Sequence, residues 1–123
     1  MRIGTDNSYL SLERVEHSGS GVVWQVVAAV AHDGCLAAVH GRPRVHTTNQ
    51  TPAKIADFAA RRAQRFELRF SQGGWLRVKR GSGGCTLVRY RLAQWGAGAS
   101  LEGRVRLERG STAAFCRELR GLL

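Results

Sequence analysis

Three features of this sequence predict an α+β fold in one domain, built on a mainly antiparallel sheet. Four consecutive segments after position 65 alternate apolar and polar residues with period two, the pattern of strands with one buried face. Glycine-rich connections between them suit antiparallel hairpins. Two further segments, opening at Thr51 and near Ser111, space apolar residues three and four apart, as amphipathic helices do. The predicted order is βββ-α-ββββ-α: six to seven strands and two helices over residues 1–123, the sheet either open or curled into a half-barrel.

The first strand is expected over Leu10–His17, with Leu10, Leu12 and Val15 apolar. Gly19-Ser20-Gly21 turns the chain into a second strand, Val22–Ala31. Its nearly continuous apolar run predicts a central strand covered on both faces. His32-Asp33-Gly34 carries hairpin chemistry and leads into a third strand, Cys35–His40, which Gly41-Arg42-Pro43-Arg44 breaks. Thr51-Pro52 opens the first helix, with Thr51 as cap and Pro52 where no N–H is needed. Ile55, Phe58, Ala59 and Arg62 form its stripe, Asp57 faces Arg61, and the helix is expected to end near Arg65.

The alternating segments follow. Phe66, Leu68 and Phe70 are separated by Glu67 and Arg69; Leu76 and Val78 by Trp75, Arg77 and Lys79. Thr86, Val88, Tyr90 and Leu92 alternate with Leu87, Arg89 and Arg91; Leu101, Gly103, Val105 and Leu107 with Glu102, Arg104, Arg106 and Glu108. Gln72-Gly73-Gly74, Gly81–Gly84 and Gly96–Ser100 are the turns. Gly110-Ser111 starts the last helix, whose apolar face is Phe115, Cys116, Leu119, Leu122 and Leu123.

A chain of 123 residues with 43% apolar content sustains one core without metal or disulfide staples. The N-terminus turns polar after two residues, and the longest apolar run, Val26–Ala31, is too short to span a bilayer. A cytoplasmic protein with no membrane contact is the expectation. Cys35, Cys85 and Cys116 are three and widely spaced, which fits reduced thiols.

The net charge of +10 is unevenly placed. Residues 1–50 hold four arginines and four acids, whereas residues 51–110 hold thirteen basic residues against Asp57, Glu67, Glu102 and Glu108. Residues two apart on a strand share a face. Arg77 and Lys79, Arg89 and Arg91, and Arg104 and Arg106 therefore each lie opposite their strand's apolar side. In a meander, these six cations line one face with Trp75, and Arg69 extends the row. Like charges opposed across strands destabilise a sheet, so a face that keeps them suits an anionic partner. Arg in particular supplies bidentate recognition of carboxylate and phosphate.

Other chemistry finds little support in the residues. His32, Cys35, His40 and His46 match no familiar zinc spacing, and alternation puts Cys35 and His40 on opposite faces, so no metal is expected. Gly81-Ser82-Gly83-Gly84 leads into a strand rather than into the helix that a phosphate loop requires. No nucleophile elbow or paired-carboxylate motif is present, and no cofactor or enzymatic activity is expected.

The segments Val22-Val23-Trp24-Gln25-Val26, Ile55 with Phe58-Ala59, Gly74-Trp75-Leu76-Arg77-Val78, and Gly103-Arg104-Val105-Arg106-Leu107 leading to Phe115 and Leu119 carry a family resemblance. Their order resembles small bacterial immunity proteins that accompany wall-associated tRNA-nuclease toxins, and related uncharacterised actinobacterial domains. The resemblance implies a non-enzymatic inhibitor of one cognate toxin and carries over no catalytic residue. Immunity proteins to nucleases are often acidic, whereas this chain is basic; an acidic toxin, or a nuclease whose active site gathers carboxylates, fits that charge.

Two readings follow. In the first, the chain is an immunity-type protein that binds an acidic protein partner through Trp75, Arg77, Lys79, Arg89, Arg91, Arg104 and Arg106. In the second, the same residues hold single-stranded RNA or DNA. A strand edge, and Trp95 beside a glycine-rich loop, offer surfaces for a homodimer.

Overall fold

A computed structural model describes residues 1–18, 21–93 and 100–123, without the side chains of residues 16–18 and 32. The Gly19-Ser20 turn, the connection over 94–99 and Trp95 lie outside the described residues. The fold is α+β, a mainly antiparallel sheet with two helices. The strands are β1 (Arg2–Thr5), β2 (Ser8–Ser18), β3 (Gly21–His32), β4 (Cys35–Gly41) and β5 (Arg44–His46), then, after helix α1 (Thr51–Ala59), β6 (Arg65–Phe70), β7 (Trp75–Arg80), β8 (Thr86–Ala93) and β9 (Ser100–Leu107), followed by helix α2 (Thr112–Gly121).

The sheet order is β1-β2-β3-β5-β6-β7-β8-β9, with β4 attached to β3 alone. Among the described residues the sheet is not closed by hydrogen bonds, yet it curls far enough to bring Cα atoms of β1 within 8 Å of β9. The inner face carries Leu10, Leu12, Trp24, Val26, Leu68, Phe70, Leu76, Val78, Val88, Tyr90 and Val105, all buried. Helices α1 and α2 touch each other and close this core with Ile55, Phe58, Phe115, Cys116 and Leu119. The Trp24 indole N–H donates to the Leu122 carbonyl at 2.9 Å, tying the end of α2 to the middle of the sheet.

Two strands exceed the sequence expectation. β1 is only four residues long, with Ile3 alone buried, so it carries almost no periodic signal. β5 has three residues, and the Gly41-Arg42-Pro43-Arg44 break falls between β4 and β5. β5 pairs with Val22 and Val23 while β4 pairs with Val26–His32, so one long strand serves two successive partners. That handover joins the two halves of the sheet, since β5 alone continues to β6.

β3 is central, but its outer side is covered only in part. Ala29 is buried there, whereas Val23, Gln25 and Val27 are half-buried. Val15 points outward, 46% exposed, where a bulge between Arg14 and Glu16 shifts the register of β2. The hairpin at Asp33-Gly34 has both residues at positive φ, 49° and 77°, as a type I′ turn requires.

Helix α1 ends at Ala59, not near Arg65. Arg61 adopts a left-handed φ of 62°, and the N–H groups of Arg62 and Ala63 donate back to the Asp57 carbonyl. This tight reversal returns the chain in time for the Phe66 ring to meet Phe58 edge-on at 5.2 Å. As a result Arg62 leaves the helical stripe, stays exposed, and pairs with Asp57 at 3.0 Å in place of Arg61. Thr51 is the first helical residue rather than the cap. It is buried, and its hydroxyl accepts from the Thr48 N–H at 2.9 Å. Ser111 precedes α2 without a side-chain capping bond.

No helix among the described residues is long and apolar enough to cross a membrane.

Candidate functional site

Strands β6 to β9 form a continuous antiparallel meander, and their register aligns the outward residues in three rows. The first runs Arg69, Trp75, Arg91, Glu102. The second runs Glu67, Arg77, Arg89, Arg104. The third runs Arg65, Lys79, Leu87, Arg106. All seven residues expected to make the contact face, Trp75, Arg77, Lys79, Arg89, Arg91, Arg104 and Arg106, lie on this grid. The six cations are exposed, and Trp75 is half-buried. Arg69 extends the row, as its alternation implied.

The local cause is the pleat. Leu76, Val78, Val88, Tyr90, Val105 and Leu107 turn into the core, so every residue between them turns out. Short turns then hold neighbouring strands in one register. Gln72 and Gly83 take left-handed φ values of 67° and 70° in single-turn 3₁₀ segments that link β6 to β7 and β7 to β8.

Two carboxylates are part of the grid, and they neutralise one side of it. Glu67 accepts from Arg69 Nε at 3.0 Å and from Arg77 Nε at 2.8 Å. Glu102 lies 3.9 Å from Arg91. Lys79, Arg89, Arg104, Arg106 and Arg65 form no ion pair among the described residues. The positive field therefore concentrates on β7, β8 and β9 around Arg89, which sits between Arg77 and Arg104 in one row. Unit charges about 4 Å apart repel by roughly 1 kcal/mol in water, and by more near a low-dielectric surface.

The indole of Trp75 is already occupied. The Arg77 guanidinium lies 3.9 Å from the ring centroid and that of Arg89 lies 5.9 Å away. These contacts make Trp75 a post that orients two arginines rather than an open stacking platform. Two shallow hollows, about 470 Å³ and 790 Å³, flank a ridge made by Lys79 and Arg89, which line both. The first hollow also holds Glu67, already paired with Arg77, whereas the second gathers Lys79, Arg89, Arg104 and Arg106 around Glu102 and offers an anion more guanidinium donors.

Sequence reasoning left out Arg65 and gave Glu67 no part in the site. Both were readable, since Glu67 alternates with buried Phe66 and Leu68. The cation Arg80 belongs to the fold instead. It is directed inward, its guanidinium lies 4.6 Å from the Phe58 ring centroid, and its Nη2 donates to the Phe58 carbonyl at the end of α1. That position also meets the negative end of the helix dipole.

Cys35 and His40 stand at opposite ends of β4, and His46 lies in β5. No group of three His, Cys, Asp or Glu gathers among the described residues. A cleft of about 410 Å³ between the β4–β5 connection and the β6–β7 turn is lined by His40, Arg42, Gln25, Ser71, Gln72 and apolar neighbours, with no carboxylate or thiol among them.

Comparison with family models, curated proteins and solved structures returns no match.

Proposed function

We propose that this chain is a non-catalytic binding module of the immunity type, which blocks a bacterial toxin by docking an acidic patch of that toxin on the β7–β9 face. The observation that carries this reading is the set of four cations, Lys79, Arg89, Arg104 and Arg106, unneutralised among the described residues and gathered on adjacent strands around one ridge. Holding like charges in cross-strand register costs stability, and a partner's carboxylates would return it. Trp75, braced by Arg77, gives the patch the aromatic-and-arginine centre that dominates protein interfaces.

The grid also suits phosphates, which keeps single-stranded nucleic acid as the rival ligand. The scarcity of aromatics favours protein, because stacking successive bases needs several aromatic faces and Trp75, already against Arg77, is the only aromatic in the three rows.

The test is rescue of growth. A toxin-like product of the neighbouring gene is expressed in a sensitive bacterial host with and without this chain. Rescue is expected with the wild type and is lost with Arg89→Glu/Arg104→Glu. Undiminished rescue by that variant would refute the face. Tight oligonucleotide binding that weakens by roughly 0.7 log units per bound phosphate for each tenfold rise in salt would favour the rival.

A further inference from the structure

We propose that β4 is a docking edge for a second copy of this chain, the two β4 strands pairing antiparallel about a two-fold axis at Ala38. Three observations carry it.

The edge is open. β4 pairs with β3 only, and the strand path to the rest of the sheet runs through β5. No residue of β4 makes a backbone hydrogen bond beyond β3 among the described residues. Its outward N–H and C=O groups therefore stand unpaired along seven residues.

The edge is also undefended. Sheet edges are normally blunted by lysine, proline, a bulge or a covering segment. The sequence Cys35-Leu36-Ala37-Ala38-Val39-His40-Gly41 has no formal charge and no proline, and its register against β3 runs without a bulge. Five of the seven residues are exposed, including Leu36 at 56%.

Charge selects a second copy as the occupant. Two molecules of net charge +10 repel wherever their basic faces approach. β3 and β4 contain no Asp, Glu, Lys or Arg, so pairing through β4 opposes no like charges across the seam. A charged peptide strand finds no complementary group along this edge, and β4 of a second copy is itself an uncharged strand of the same length. With the axis at Ala38, Ala37 meets Val39, and Leu36 meets the His40 imidazole, which covers the exposed leucine. The contact is isologous, as closed two-fold interfaces are.

The inference is independent of the basic-face reading. Its test is sedimentation of the full chain under reducing conditions across protein concentration, at low and at high salt. A monomer–dimer equilibrium is expected, and it should tighten as salt screens the cationic copies, opposite to polyanion binding. Ala38→Lys places two like charges across the axis and should raise the dimer dissociation constant about tenfold or more, with an unchanged circular dichroism spectrum. In a Cys35→Ser background, Ala38→Cys should form a covalent dimer on mild oxidation, because residues on the axis lie within disulfide reach. A monomer at every concentration and salt overturns the proposal. So does a dimer indifferent to Ala38→Lys, or one that fails to cross-link at position 38.

Discussion

Tyr90 and Gly103 are register partners across β8 and β9, and the tyrosine ring fills the space that a β-carbon at position 103 would need. Glycine within a strand ordinarily weakens it. Here it lets a buried phenol lie against the neighbouring backbone, and Tyr90 is only 1% exposed. Gly103→Ala should therefore destabilise the fold by about 1–3 kcal/mol through overpacking, measured by urea unfolding. An alanine variant as stable as the wild type would mean the ring has room to move.

The Tyr90 hydroxyl is buried with no hydrogen-bond partner among the described residues. An unsatisfied buried hydroxyl carries a desolvation cost, so Tyr90→Phe should leave stability unchanged or raise it by up to about 1 kcal/mol. A clear loss in the same unfolding assay would contradict that account.

Stability should fall in alkali. Burial pushes the Tyr90 phenol above its ordinary 10.0. Burial likewise pushes the Cys116 thiol above 9.0, partly countered by Arg120 and Arg80. Each charged form is disfavoured in the folded state. Below the unfolded values both states hold the proton and nothing is lost; above them the unfolded chain releases it first. Melting temperature should therefore decline as pH rises past about 9 to 10, and Tyr90→Phe should flatten the upper part of that decline. A flat profile to pH 11 would refute it.

The central arginine row sets binding against stability. Arg89 faces Arg77 on one side and Arg104 on the other. Arg89→Glu should convert both repulsions into attractions and stabilise the isolated protein by roughly 0.5–1 kcal/mol. The same change should weaken an acidic partner by about a hundredfold or more. Thermal melts at low and high salt check the first half, since screening should erase the gain.

A buried hydroxyl pair joins sheet to helix. Thr86 in β8 and Thr112 at the start of α2 are 2.7 Å apart, and both are buried. Thr86→Val and Thr112→Val should each cost about 1–2 kcal/mol, but the double variant should cost less than their sum, because neither hydroxyl is then left alone. Strict additivity in the cycle would show that the pair does not interact.

Much of the site is legible in the sequence alone. The outward arginines needed only the pleat, since each alternates with a residue that water rejects. The α+β class and the paired hairpins followed from the same period together with the glycines. β1 and β5 escaped notice because three or four residues cannot display a period. The early end of α1 escaped because Arg61 at positive φ leaves no mark in composition. Arg80 counted as one more cation until its contact with Phe58 placed it inside.

The sequence by itself determined which side chains leave the core, because alternation is a property of each strand alone. Only the tertiary structure decided which of them meet. Register set Arg77, Arg89 and Arg104 in one row, gave Glu67 to Arg69 and Arg77, and left Arg104 and Arg106 without a carboxylate among the described residues. Only there, too, did β3 divide its edge between β4 and β5 and leave β4 with an open side. Pairing of this kind depends on how distant segments share one core, and no local pattern encodes it.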